Sequence, residues 1–179
     1  MELTRDQVEK RLKGTLWLFM IGLVLSGLSI FPLVAEIGWL NHWMGGDTII
    51  GMRFPELGQW VTQVNSALIY TNQQYPFILY GSDWLGFAHL MIAVAFIGPL
   101  RDPVRNVWVI EFGGIACVLV IPFALLCAPM REIPLLWILT DCSIAIFGTL
   151  LLGYARSMVA RLEALPPPQT LELSIPWQS

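Results

Sequence analysis

Long apolar runs separated by short polar segments make up most of this chain. Four of the runs have the length, about 17–25 residues, at which an α-helix crosses the hydrocarbon core of a bilayer. They cover residues 15–39, 84–100, 104–128 and 134–154. The pattern therefore predicts an all-α membrane protein with four transmembrane helices in a single domain, residues 1–164.

The two middle spans are joined by a short basic turn, RDPVRN, and the rest of the chain can be placed around this hairpin. Asp102 followed by Pro103 is typical of an N-cap with proline at the first helical position. So short a turn predicts that spans two and three are antiparallel neighbours. Near the N-terminus, Thr4 and Gln7 have the spacing of a capping box, and Pro32 predicts a kink in the first span.

Residues 40–82 form a loop that is too long to be a simple connection. Within it, residues 55–71 have one apolar and one polar side, which predicts an amphipathic helix. This helix either rests on the lipid headgroups or closes one mouth of the bundle as a lid, and both interpretations stay open. Its apolar face consists of Leu57, Trp60, Val61, Val64 and Leu68.

The basic residues predict the orientation, because cytoplasmic loops are enriched in Lys and Arg. The two terminal segments and the RDPVRN turn hold eight of them, whereas the other two loops hold only Arg53 and Arg131. Both termini are therefore predicted to be cytoplasmic, with residues 165–179 as a cytoplasmic tail. Tryptophans, which favour interfaces, agree: Trp17 and Trp108 fall on the inner side, and Trp39, Trp43, Trp84 and Trp137 on the outer side.

Composition excludes several classes of protein. The chain is 56% hydrophobic and only 13% charged, about half the charged fraction of a soluble domain. A net charge of −3 argues against a nucleic-acid partner, and the three cysteines form no CxxC pair. There is no Gly-rich phosphate loop and no GxSxG motif. We therefore assign no catalytic residue and no metal ligand, and we expect the N-terminal segment to be retained.

Ionisable residues inside a span are costly, so each is a candidate site. His89 and Asp141 each lie roughly 10 Å along a helix entered from the outer side, and Glu36 lies near the outer end of the first span. The three are therefore predicted to meet in the outer half of the bundle. Stripes of small and polar residues predict inward-facing positions: Gly22, Ser26, Ser29, Leu33 and Glu36; Gly86, His89 and Ala93; Asp141, Ala145 and Gly148.

Three interpretations of this cluster stay open. A hydrogen bond between His89 and Asp141 serves packing alone, or the cluster is a ligand or proton site, or it holds a metal or haem. Haem with two histidine ligands would also need His42, and no HxxxH or ExxH spacing supports a metal. The cofactor is therefore unknown, with haem and quinone open but not favoured.

A second charged cluster is predicted at the inner end, and it comprises Arg101, Asp102, Arg105 and Glu111. We expect Arg101 to pair with Glu111, because pairing lowers the cost of holding a carboxylate in a membrane. The alternative is an inward-facing proton or headgroup site. Basic residues at this depth also attract anionic lipid.

The block from Tyr75 to Arg131 contains YPFILYGSDWLGFAHL, AFIGPLRDPVRNVWVIEFG and IACVLVIPFAL. It resembles an uncharacterised family of small bacterial integral membrane proteins with four spans. The resemblance covers the central third of the chain closely and the flanking spans loosely. It implies a bacterial inner (cytoplasmic) membrane protein, and it carries no activity, cofactor or site residue.

Three functions remain as hypotheses. The first is a non-enzymatic accessory or assembly subunit that binds another membrane protein, or a second copy of itself, in the bilayer. The second is a membrane enzyme or redox carrier acting on a lipid, quinone or haem through His89, Asp141 and Glu36. The third is a proton-coupled transporter built as an oligomer. Small size and small-residue helix faces favour the first.

Overall fold

The computed structural model describes residues 4–166, and this part of the chain is helical apart from short turns. Four helical segments are long and apolar enough to cross a membrane, which confirms the predicted fold class at that level. Most of the predicted tail, 165–179, lies outside the described residues. The four segments are α1 (Arg5–Ile30), α5 (Pro76–Ala95) with α6 (Ile97–Arg101), α7 (Val107–Cys127) and α8 (Leu135–Ala164).

Between α1 and α5 the chain forms three further helices. They are α2 (Leu33–Met44), α3 (Ile49–Arg53) and α4 (Pro55–Gln74). The last of these covers the amphipathic segment predicted over 55–71, and Leu57 and Val61 of its apolar face are buried. α4 packs along α2, and also contacts α3 and the start of the second spanning segment.

Prolines and capping side chains set several helix ends. At the start of α1, the Thr4 hydroxyl accepts from the Gln7 N–H and the Gln7 side chain accepts from the Thr4 N–H, which confirms the predicted capping box. α1 and α2 are separated at Pro32, where the kink was predicted. α5 ends at Ala95 because Pro99 lacks the N–H that would bond to the Ala95 carbonyl.

One predicted helix start is wrong. α7 begins at Val107 with Asn106 as its N-cap, and Asp102 is not the cap. The Asp102 carboxylate instead accepts the N–H of Arg105 (3.0 Å), so it stabilises the turn before the helix. The helix that contains the predicted span 84–100 is also longer than that span, because Pro76 occupies its first position and no residue up to Asp83 interrupts it.

The main hydrophobic core lies at the end of the bundle that holds the first turns of α1 and the last turns of α8, which we call the terminal end. There α1 packs between α5 and α8, and α7 packs on α8. Phe96 is fully buried at the junction of α5 and α6, and its ring lies 4.9 Å from that of Phe19. The other buried members are Val8, Leu12, Leu16, Met20, Val109, Ile110, Leu152, Ala155, Met158, Val159 and Leu162.

α1 and α5 are in backbone contact at Gly27 and Gly86. A Cβ atom added to either glycine would lie 2.8 Å from the carbonyl oxygen of the other. The predicted packing stripe on the first span is wrong, since Gly22 and Ser26 are exposed. Large side chains, from Val8 to Met20, fill the interfaces of α1 over its first half, and the small-residue contact is confined to Gly27.

Gly27→Ala is expected to lower the melting temperature in detergent, because its methyl group meets the α5 backbone and overpacking costs about 1–3 kcal/mol. Gly22→Ala is the matched control, since its Cβ would meet no heavy atom of residues 4–166 within 4 Å. That variant is expected to be neutral or more stable by up to about 1 kcal/mol, because alanine favours helix. Equal melting temperatures for the two variants would contradict the crossing at Gly27.

Candidate functional site

His89 lies at the crossing of α1 and α5. Its Cβ atom would be 3.1 Å from a Cβ added to Gly27, so the imidazole leaves the helix directly beside the α1 backbone. Its Nδ1 is 2.9 Å from the Leu85 carbonyl oxygen, and since a carbonyl only accepts, Nδ1 carries the proton. One ring nitrogen is thus engaged by the histidine's own helix, as in many structural histidines.

Asp141 lies on the face of α8 that continues into buried Ala145 and Gly148. The side chain at 141 is partly exposed, and between residues 4 and 166 it has no hydrogen bond and no ion pair. Its neighbours are satisfied locally: the Thr140 hydroxyl donates to the Leu136 carbonyl (3.0 Å) and that of Ser143 to the Thr140 carbonyl (2.7 Å). The carboxylate is the polar group on this stretch of α8 that residues 4–166 leave without a partner.

Glu36 lies on α2, past the break at Pro32, and is exposed. The structure does not join it to His89 or Asp141 by any hydrogen bond within the described residues. α5 and α8 each pack extensively on α1 and make little contact with each other, and within residues 4–166 no hydrogen bond or ion pair joins His89 to Asp141. In the same part of the chain, no group of three or more His, Cys, Asp and Glu side chains is placed to hold a metal ion.

The charged cluster at the terminal end is arranged differently from the prediction. Glu111 pairs with Arg156 of α8, with 2.7 Å between Nε and Oε1, and not with Arg101. Arg101 ends α6, whereas α7 packs on α8 along most of its length, so the α8 guanidinium is the nearer cation. The sequence analysis did not identify Arg156 as the partner of Glu111. The antiparallel arrangement of consecutive α7 and α8 was the signal that could have indicated it.

The segment 33–74 forms a polar and glycine-rich contact of its own at the opposite end, which we call the loop end. The Thr62 hydroxyl donates to the Asn41 side chain (2.9 Å) and accepts from the Gly46 N–H (3.0 Å), which ties α2 to α4. Trp60 of α4 lies against Trp137 of α8, with ring centroids 4.9 Å apart. α4 therefore connects the α1–α5 side of the bundle to α8.

Comparison with known proteins identifies no relative. No family model matches the chain, and no curated protein or solved structure matches it. The function has to be inferred from the residues themselves. Of these, Asp141 is the most informative, because it is an ionisable group in a spanning helix that residues 4–166 leave without a partner.

A double-mutant cycle with Glu111→Gln and Arg156→Gln is expected to show favourable coupling of up to about 1 kcal/mol in unfolding free energy. The value is small because the two side chains are 40% and 47% exposed. The same cycle with Glu111→Gln and Arg101→Gln is the control and is expected to show no coupling. Coupling confined to Arg101 would contradict the observed pairing.

Proposed function

We propose that this protein is a non-enzymatic accessory or assembly subunit of a larger complex in the bacterial inner membrane. Asp141 carries the proposal. It lies one turn from Trp137 and roughly 22 Å along α8 from Arg156, inside a hydrocarbon core ~30 Å thick. Since the described part of the chain gives this carboxylate no partner, a neighbouring protein is the source that would supply one.

The free energy of placing the Asp141 carboxylate in lipid indicates how strongly a polar partner would be favoured. An acidic residue at the centre of a spanning helix costs about 2.5–3.5 kcal/mol in insertion, which is an upper bound for Asp141 because it lies one turn from the interfacial Trp137, and such residues face a bundle interior or a partner. Ile144, roughly one turn of α8 from Asp141, is 66% exposed, and Phe147, about a third of the way round the helix from Asp141, is 57% exposed. A helix from another protein could pack on this apolar surface beside the carboxylate. An apolar face with one carboxylate gives both packing area and a specific polar contact.

The topology within the membrane is part of the same proposal. Three basic segments meet at the terminal end, where Arg5 donates from Nη1 to the Pro166 carbonyl (3.2 Å) beyond the end of α8. A cation at a helix C-terminus is favourable, so this contact holds the two terminal segments on one side. Because that side holds most of the basic residues, we place it in the cytoplasm and the 40–82 segment outside.

Fusions to the C-terminus test the topology. A green fluorescent protein fusion is expected to fluoresce and an alkaline phosphatase fusion to be inactive, because the first folds in the cytoplasm and the second needs an oxidising compartment for its disulfides. Insertion of the phosphatase after Asp47, in the turn between α2 and α3, is expected to give activity. The reverse pattern would contradict the orientation.

Asp141→Leu is expected to abolish co-purification of the partner from gently solubilised native membranes, while the melting temperature of the isolated chain stays equal or rises. The reason for the second effect is that leucine removes the cost of an unpartnered carboxylate. A merely structural role for Asp141 would instead lower the melting temperature.

Glu36→Leu is the matched control, because it removes an exposed carboxylate from α2, away from α8. This variant is expected to keep the partner. A photo-reactive residue at Ile144, roughly one turn of α8 from Asp141, is expected to cross-link the same protein, whereas one at Phe123 of α7 is not. Undiminished co-purification by Asp141→Leu would contradict the proposal.

A further inference from the structure

A cleft at the terminal end lies between three elements that are distant in sequence. Its volume is about 220 Å³, and its walls come from the first turns of α1, the junction of α6 with the following turn, and the end of α8. Three cations line it: Arg5, Lys13 and Arg101. The cleft is separate from Asp141 and does not depend on the proposed complex.

The charged side chains that line the cleft differ in how closely they are paired with one another. Glu9 lies between Arg5 (3.4 Å) and Lys13 (3.9 Å), and the second of these contacts is long for an ion pair. The Asp102 carboxylate accepts the Arg105 N–H through one oxygen (3.0 Å). The guanidinium of Arg101, by contrast, has no ion pair with any of residues 4–166. The lining therefore offers a free planar guanidinium and a weakly held ammonium to an incoming anion.

The depth of these cations matches that of lipid phosphates. Lys13 lies one helical turn, roughly 6 Å, beyond Trp17, and exposed tryptophans mark the membrane interface. The headgroup region adds about 5–8 Å outside the hydrocarbon on each side. Beside the cations, the exposed side chain of Val104 gives the cleft an apolar surface suited to the glycerol ester and first methylenes of a lipid, and the buried Leu12 and Leu162 lie behind the wall.

We propose that this cleft binds the phosphate group of an anionic phospholipid, with Arg101 and Lys13 as its main contacts. Arginine binds phosphate oxygens with two parallel hydrogen bonds and lysine adds a point charge, so the two residues supply orientation and attraction respectively. Basic pockets between transmembrane helices on the cytoplasmic side bind anionic headgroups by this chemistry. One lipid per chain is expected, in contrast to diffuse attraction by surface cations.

The test compares two charge-matched variants. Lys13→Gln with Arg101→Gln removes the two cations of the cleft. Lys10→Gln with Arg105→Gln removes one lysine and one arginine from the same two segments, and neither of these residues lines the cleft. Arg5 is left unchanged because it also contacts the end of α8. Melting temperatures of both variants, measured in a zwitterionic detergent, verify that they fold.

Each protein is reconstituted in nanodiscs of phosphatidylcholine with phosphatidylglycerol, extracted, and weighed by native mass spectrometry. The wild type and the Lys10/Arg105 variant are expected to retain one phosphatidylglycerol. The Lys13/Arg101 variant is expected to bind it about 30-fold more weakly, because loss of each of the two cations weakens lipid binding about fivefold. Titration with inorganic phosphate distinguishes the sources, since binding of free phosphate without lipid retention makes the ion itself the ligand of the same site.

Equal loss of lipid in both variants would overturn the proposal, because the attraction would then be that of surface charge in general. Absence of both lipid retention and phosphate binding in the wild type would overturn it as well.

Discussion

Hydrocarbon offers no hydrogen-bond partner, and the structure of this protein depends on that constraint. Every segment that crosses it must satisfy its own backbone, which only a helix does within one segment. Proline interrupts the helical hydrogen bonds at Pro32, where α1 ends, and near Pro99, where α5 ends close to the terminal end of the bundle. Both interruptions lie near the ends of spanning segments, where the freed carbonyl groups can reach polar surroundings.

The same solvent removes the hydrophobic force between helices, so contact has to come from close packing. α1 meets this need in two ways. Large side chains from Val8 to Met20 pack against α8 at the terminal end, and at Gly27 the α1 backbone touches that of α5. This arrangement sets the lateral order of the helices, and the order decides which side chains meet. His89 and Asp141 are on different neighbours of α1, and no hydrogen bond joins them within residues 4–166.

Sequence reasoning succeeded where a feature depends on a few adjacent residues. The capping box at Thr4, the interruption at Pro32 and the number of apolar helices all follow from local chemistry. It failed where the answer depends on which helices are neighbours. Asp102 has the sequence of a helix cap but stabilises a turn, and Glu111 pairs with Arg156 because α7 packs on α8. Depth along a helix can be counted from the sequence, whereas lateral position cannot.

Two carboxylates in this bundle show the difference between a satisfied and an unsatisfied charge. Glu111 has a guanidinium from the next helix at hydrogen-bond distance, while Asp141 has no partner in the part of the chain that the structure describes. The proposed role as a subunit rests on that contrast. Native mass spectrometry of the protein, extracted gently from its own membrane, tests it most directly. A second protein in fixed ratio with the chain is the predicted result, and a lone chain, with or without bound lipid, would contradict it.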